Sequence, residues 1–235
     1  MFNKSAAIYD AIFTAKGKNW EKESKEFFAL VKRYKRSAGN ALLAVACGTG
    51  GHEQYLRHEF SVTGLDIDPE MLAIARQRLP DVEFHCASMM DFVLEKKFDV
   101  VMCLFSAIGY ANTREKLHQA IRTMSNHLVS GGILVVEPWL SPGEFRSGAV
   151  FSTFVDQPDL KVARMNTNMV RDNQSIIEFH YLVGTPQGVE HFTELHELGL
   201  YSHEEYLAAF KSCGLDTRYE KEGLIGRGVY VAIHA

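Results

Sequence analysis

Short apolar runs alternate with amphipathic stretches through the first part of this 235-residue chain. The runs are nearly continuous, which is typical of strands buried on both faces, and they cover residues 41–46, 61–66, 82–86, 98–105 and 133–137. Between these runs, the spacing of apolar residues predicts helices over 52–59, 69–78 and 113–128. Strands that alternate with helices indicate a doubly wound, mostly parallel α/β sheet.

The two ends of the chain follow other patterns. Residues 5–36 read as helical with an interruption at Gly17, whereas residues 149–201 contain β-rich runs separated by turn signals. A helix over 202–212 is followed by two further strand patterns, 216–222 and 228–234, which predict a terminal antiparallel hairpin. We therefore expect a single domain over residues 1–235, with an N-terminal helical lid at 1–37 and an inserted antiparallel β cap at 140–201.

The end of the first predicted strand carries the clearest chemical signal. The strand runs directly into Gly48-Thr49-Gly50-Gly51, where the backbone can turn sharply against a ligand. The second strand ends at Asp66, where a carboxylate can accept hydrogen bonds from the hydroxyls of a ribose. A dinucleotide fingerprint would place its third glycine at residue 53, but Glu53 stands there and would repel a pyrophosphate. The pattern favours a nucleoside cofactor without phosphate, and a nicotinamide dehydrogenase is the least favoured alternative.

The bulk composition narrows the possible partners. A formal net charge of −4 and a pI near 6.2 argue against a nucleic-acid binder. No window has the roughly 18 apolar residues needed to span a bilayer, so no membrane partner is expected. The four cysteines show no paired spacing and the start of the chain lacks a signal-peptide pattern, which predicts a reduced, cytoplasmic protein. The histidines match no zinc spacing, so we expect no metal.

The glycine-rich segment resembles the first motif of the Rossmann-like, class I methyltransferases that use S-adenosylmethionine (SAM). That motif usually opens with an acidic residue, but the segment here reads Ala44-Val45-Ala46-Cys47-Gly48-Thr49-Gly50. The resemblance implies that SAM is the cofactor. It also implies that one usual contact to the methionine moiety is missing at Ala44.

Further runs are similar to the dTDP-3-amino-sugar N,N-dimethyltransferases of the desosamine and mycaminose type. They are Tyr9-Asp10, Gly17-Lys18, Met102 to Tyr110, Val135-Val136-Glu137-Pro138-Trp139, His191-Phe192, Tyr206 to Phe210 and Gly226-Arg227-Gly228. This resemblance implies SN2 transfer of a methyl group to the amine of a nucleotide-linked amino sugar, a role in antibiotic biosynthesis and a possible homodimer. Two alternatives stay open, namely a methyltransferase for another small-molecule amine or hydroxyl and a SAM-binding protein without catalysis.

The carboxyl ends of parallel strands meet at one edge of the sheet, so the cofactor should lie there. Asp91 can accept a hydrogen bond from an adenine amino group, while methionine and phenylalanine side chains can cover the ring. The residues predicted to contact the cofactor are Ala46, Cys47, Gly48, Gly50, Asp66, Ile67, Met71, Met90, Asp91, Phe92 and Leu104.

The acceptor site rests mainly on the family resemblance, which implies that Tyr9 and Tyr110 line the amine pocket. It also implies that Glu137 and Trp139 border the cleft while Arg227 holds the diphosphate, a role that a guanidinium fork suits. Arg164 is a further candidate of the same kind. His180 shares a strand face with Glu178 that could line the cleft, and we include His180 as a catalytic candidate and His196 as a substrate-binding one.

Overall fold

The computed structural model describes residues 4–235, and its core is a seven-stranded sheet in the order β10-β11-β5-β4-β1-β2-β3. The strands are β1 (Ala41–Val45), β2 (Ser61–Asp66), β3 (Glu83–Cys86), β4 (Phe98–Cys103), β5 (Leu128–Val136), β10 (Asp216–Glu220) and β11 (Val229–Ile233). The first five run parallel, and β11 pairs antiparallel with both β5 and β10. This arrangement confirms the predicted class I methyltransferase sheet with its terminal hairpin.

Helices cover both faces of this sheet. They are α1 (Tyr9–Ala15), α2 (Trp20–Tyr34), α3 (Glu53–Leu56), α4 (Pro69–Arg78), α5 (Arg114–Ser125) and α6 (His203–Ser212). On one face, Phe27 and Val31 of α2 pack with Leu42 of β1; on the other, side chains of α5 and α6 pack with Leu43. Adjacent residues of β1 thus point into different layers, which explains why this strand is apolar throughout. Within residues 4–235, no helix is long and apolar enough to cross a membrane.

A second, separate sheet of four antiparallel strands forms the cap, in the order β6-β7-β8-β9. These strands are β6 (Val150–Gln157), β7 (Leu160–Arg171), β8 (Gln174–Thr185) and β9 (Gly188–Gly199). The N-terminal segment packs on this sheet, because Ile8 and Ile12 share an apolar cluster with Val155 and Tyr181. It therefore lies between the cap and the rest of the chain.

Several strand boundaries differ from the prediction, and those of β4 and β5 have a visible cause. β4 ends at Cys103 instead of residue 105, because Phe105 and Ser106 both adopt left-handed backbone conformations with φ of 54° and 62°. β5 begins at Leu128 instead of Ile133, because the chain pairs Leu128 with Phe98 across an irregularity in the ladder. The first difference matters for the site, since it turns the end of β4 toward the cofactor edge.

Candidate active site

The glycine-rich turn after β1 is fixed by the carboxylate of Asp66. Its Oδ2 accepts a hydrogen bond from the backbone N–H of Gly48 at 2.7 Å, and its Oδ1 accepts one from Asp68 at 2.9 Å. Ala46, Gly48 and Gly50 all have positive φ, so the turn doubles back tightly. Burial raises the pKa of Asp66. Each carboxylate oxygen has a second lone-pair direction, so Asp66 keeps acceptor capacity for the ribose hydroxyls predicted for this position.

A narrow cavity lies between this turn and the end of β4. Its walls include Ala46, Cys47, Gly48, Thr49, Glu53, Leu104 and Phe105 from the core, together with Tyr9 and Trp20 from the N-terminal segment. Gly51 permits this closure, because a Cβ on it would lie 2.3 Å from the indole Nε1 of Trp20.

The N-terminal segment is fastened to the turn by polar contacts. Asp10 accepts a hydrogen bond from the hydroxyl of Thr49 at 2.7 Å and forms an ion pair with Arg78 of α4. Arg78 in turn donates to the carbonyl of Thr49 at 2.8 Å. These three side chains join α1, the turn and α4, and we call them the Asp10 latch.

A second network lies behind the Trp20 wall. The buried ammonium of Lys18 is 2.5 Å from Glu23, whose carboxylate also contacts Nε2 of His52 at 2.9 Å. The Lys18 ammonium lies 3.6 Å from the centroid of the Phe105 ring. This network ties the start of α2 to both sides of the cavity.

The residues predicted to surround the adenine differ in how accessible their side chains are. Ile67 is 46% exposed at the mouth of the cleft, Met90 is partly buried and Asp91 is exposed. Met71 is buried, with 2% of its surface exposed, and Phe92 packs in the core against the ring of His127. Both side chains therefore fill space inside the fold.

Gly50 also has a structural role in the turn. A Cβ on it would lie 3.2 Å from Leu79. With φ of 77°, it shapes the turn and lets α4 approach, while its neighbours on either side face the cavity.

A tyrosine–histidine pair lies under the cap. Tyr110 and Nδ1 of His196 share a hydrogen bond of 2.6 Å, and Nε2 of His196 is 3.6 Å from the carboxylate of Glu194. Glu194 is itself held by the backbone N–H and the hydroxyl of Ser5, at 3.0 and 2.7 Å. Burial raises the pKa of Tyr110 and lowers that of His196, so both groups are neutral near pH 7.

Two arginines, Arg164 and Arg227, lie near the Tyr110–His196 pair. Arg164 of β7 is almost fully buried, with its guanidinium 5.5 Å from the ring centroid of Phe13 and 4.7 Å from that of Phe179. Arg227 lies 5.1 Å from the ring of Trp139 and donates a hydrogen bond to the hydroxyl of Ser106 at 3.1 Å. Both guanidinium groups lie on aromatic faces, which leaves part of their donor fork available for an anion.

Glu137 and Trp139 follow β5, as predicted, and border the same region. One oxygen of Glu137 accepts the backbone N–H of Phe105 at 2.6 Å, and burial raises the pKa of this carboxyl to about 7. The indole N–H of Trp139 donates to the hydroxyl of Ser175 at 2.9 Å. Glu137 therefore fixes the left-handed backbone after β4, and Trp139 links the core sheet to the cap.

The expectation that His180 faces the cleft is wrong. The ladder places Phe179 and Tyr181 on the inner face of the cap, so His180 between them points outward. It lies exposed beside His191, at 3.4 Å. The alternation of β-strand side chains identifies two faces, but it does not say which one is inside.

Sequence reasoning missed several residues of the site. Glu23, His52 and Glu194 have polar partners elsewhere in the fold, and no local pattern marks them. Asp10 and Lys18 belong to runs that carry the family resemblance, but that resemblance gave neither of them a role. Glu53 did carry a signal, as a carboxylate immediately after the glycine-rich turn. That signal excluded a phosphate ligand, but it did not indicate a binding role.

Comparison with known proteins agrees with this geometry. Residues 42–132 match the model of a methyltransferase domain family. The chain is 38% identical to dTDP-3-amino-3,4,6-trideoxy-alpha-D-glucopyranose N,N-dimethyltransferase of Streptomyces venezuelae, over 98% of both chains. It is 36% identical to dTDP-4-amino-2,3,4,6-tetradeoxy-D-glucose N,N-dimethyltransferase of Saccharopolyspora spinosa, over 97% of this chain and 92% of that protein.

A solved structure extends the comparison. SAM-bound CalS10, an amino pentose methyltransferase from Micromonospora echinaspora involved in calicheamicin biosynthesis, superposes with a TM-score of 0.87 at 36% identity, over 97% of both chains. Similarity of this extent spans the core sheet, the N-terminal segment and the cap. The chain belongs to the SAM-dependent methyltransferases, in the family of the dTDP-amino-sugar N,N-dimethyltransferases.

Proposed function

We propose that this protein transfers methyl groups from SAM to the amine of a dTDP-linked amino sugar. The observation that carries the proposal is the neutral Tyr110–His196 pair near the cavity, together with the buried Arg164 and the half-buried Arg227. Such a reaction suits the biosynthesis of antibiotic amino sugars. The relatives modify amines at two different sugar positions, so the carbon that bears the amine stays open.

The residues around the cavity fit SAM. Asp66 and Glu53 are both buried carboxylates at this edge, and they favour a ligand with positive charges over one with a pyrophosphate. We propose that Asp66 contacts the ribose, since it lies against the glycine-rich turn, and that the exposed Ile67 covers one face of the adenine. When bound, SAM supplies an electrophilic methyl group on a sulfonium, so the protein needs to hold a neutral amine in line with it.

Tyr110 and His196 provide an orientation device for that amine. The carboxylate of Glu194 lies on the Nε2 side of His196, which favours a proton on Nε2 and leaves Nδ1 as an acceptor. Tyr110 then donates its hydroxyl proton to Nδ1, and its oxygen is left to accept an N–H from the substrate amine. This fixes the direction of the amine lone pair. A strong base is not needed, because the amine reacts in its neutral form.

The cationic side of the cleft suits a nucleotide diphosphate. Partial burial and the charges of Arg164 and Arg227 lower the pKa of the surface residue Lys16, so the three cations are close enough to repel one another. Burial also lowers the pKa of both arginines, so a bound anion would stabilise their charged forms. We propose that Arg227 and Lys16 contact the diphosphate, and that Arg164 lies nearer the sugar beside Tyr9.

The substrate proposal is tested by incubating the purified protein and SAM with dTDP-linked 3-amino and 4-amino deoxyhexoses. Mass spectrometry should show monomethylated and then dimethylated sugar, with formation of S-adenosylhomocysteine (SAH). A protein that binds SAM but turns over none of these sugars would refute the assigned acceptor. Turnover of unrelated amines at equal rates would also refute it.

We further propose that the protein is a homodimer joined through the outer face of the cap. By register, Phe154, Met165 and Leu182 all point outward there, and each is about half exposed or more. Monomeric proteins rarely leave so continuous an apolar patch in water. In analytical ultracentrifugation Leu182→Glu should give monomers, whereas Val93→Glu, at an exposed position away from the cap, should not. A monomeric unaltered protein would refute the proposal.

Two organisational proposals follow from the same geometry. We propose that residues 1–37 act as a lid over the cofactor, within one domain that carries the cap at 140–201; residues 1–3 lie outside the described part. We also infer a cytoplasmic location, since all four cysteines are unpaired and the proposed reaction consumes SAM.

A further inference from the structure

Glu53 is a buried carboxylate for which the proposed reaction has no use so far. It opens the short helix α3, is only 1% exposed and lines the cofactor cavity. Its Oε2 has no hydrogen-bond partner among residues 4–235. An orphaned carboxylate oxygen is costly to bury, so its presence at a cavity wall points to a ligand that completes it.

Ala44 lies on the same side of the sheet. Its side chain packs in the apolar cluster that also contains Leu56, the residue one helical turn after Glu53 on α3. Residues three apart on a helix share a face, so the Glu53 side chain is directed toward this layer too. Ala44 is the position at which the family motif usually carries its acidic residue. The chain therefore lacks the acidic residue of the motif on β1, but it carries a glutamate, Glu53, on α3.

We infer that Glu53 replaces the missing acidic residue of the motif and holds the ammonium group of the methionine moiety of SAM. The carboxylate has moved from the strand to the helix, but it reaches the same part of the cavity. Glu137 is the competing candidate, because one of its carboxylate oxygens also has no partner among residues 4–235 while the other accepts the N–H of Phe105. Glu53 is favoured because it forms part of the cavity wall beside the glycine-rich turn. The assignment rests on SAM as the cofactor and is independent of the acceptor.

The electrostatics around Glu53 support a cationic partner. Burial raises the pKa of this carboxyl to about 7, with a further contribution from the charge of Asp66 on β2. Arg78 on α4 and nearby backbone N–H groups oppose the increase without cancelling it. His52 is engaged by Glu23 of α2. An ammonium brought alongside would favour ionisation of Glu53, so binding and deprotonation reinforce each other.

The test is equilibrium binding by calorimetry, without any acceptor, for Glu53→Gln and the unaltered protein. The ligands are SAM, SAH and methylthioadenosine, which lacks the amino-acid group. Loss of a charge-assisted hydrogen bond should weaken SAM and SAH about 10- to 100-fold and methylthioadenosine by less than about twofold. Glu59→Gln, an exposed change of the same kind beyond α3, should leave all three affinities unchanged.

A reversal variant makes the inference sharper. Glu53→Leu combined with Ala44→Asp returns the acid to the strand, and it should recover SAH affinity to within about threefold of the unaltered protein. Equal weakening of all three ligands in Glu53→Gln would show a structural role and overturn the inference. So would unchanged SAH affinity, or a reversal variant that binds methylthioadenosine normally but not SAH. Failure of the amino-sugar assay would leave these binding results intact.

Discussion

Removing the Asp10 latch should speed the release of SAH. In Asp10→Ala, the hydroxyl of Thr49 and the guanidinium of Arg78 lose their shared partner. Hydrogen bonds to charged groups contribute about 1.5–3 kcal/mol when buried. The side chains of Asp10 and Arg78 are 32% and 26% exposed, so we discount this to about 1–2 kcal/mol. If the N-terminal segment must lift before SAH leaves, dissociation accelerates about 5- to 30-fold.

Stopped-flow displacement of SAH measures this rate directly. Asp10→Asn should fall between the unaltered protein and Asp10→Ala, because the amide still accepts a bond from Thr49 but loses the ion pair with Arg78. Glu21→Ala is the matched control, since it removes the same charge from an exposed pair with Lys25 on α2. The reasoning fails if Asp10→Ala releases SAH at the original rate, or if Glu21→Ala accelerates release equally.

Three further outcomes are expected. The pKa of Glu137 is raised to about 7 in the fold, so its contribution to folding stability is complete below about pH 4.5 and is lost as pH rises through 7. Glu137→Gln should therefore gain stability over the unaltered protein from about pH 5 to 8, by at most about 3 kcal/mol. Parallel melting profiles of the two proteins against pH would contradict this. Tyr110→Phe should lower kcat about 10- to 100-fold with little change in KM. The double variant with His196→Gln should be no slower, whereas additive losses would disprove that the two residues orient the amine together. Gly51→Ala should lower stability by about 1–3 kcal/mol because its Cβ displaces the Trp20 indole, and an unchanged melting temperature would refute that packing.

Much of the core was predictable because its signals are local. A strand covered by helices on both sides must be apolar at every position, so β1 and β4 are visible as continuous runs. The turn and Asp66 were predictable for a related reason, since they follow directly from where two strands end. The same logic found Glu137.

The rest of the site depends on tertiary placement. Asp10 meets Thr49 across 39 positions and Arg78 across 68, and only the folded N-terminal segment brings them together. In the cap, both faces of β8 carry large apolar side chains, such as Tyr181 inside and Leu182 outside. Hydrophobicity therefore could not tell which face is buried, and His180 was assigned to the wrong one.

The hydrogen-bonded line from Ser5 through Glu194 and His196 to Tyr110 has a consequence for fidelity. Its first member belongs to the N-terminal segment proposed as a lid, and its last member is the proposed orienting group for the amine. Under that proposal, lifting the segment would remove both Ser5 donors from Glu194 and free the carboxylate that faces His196. The open form would then orient the amine poorly, so methyl transfer would wait until the segment has closed over the substrates.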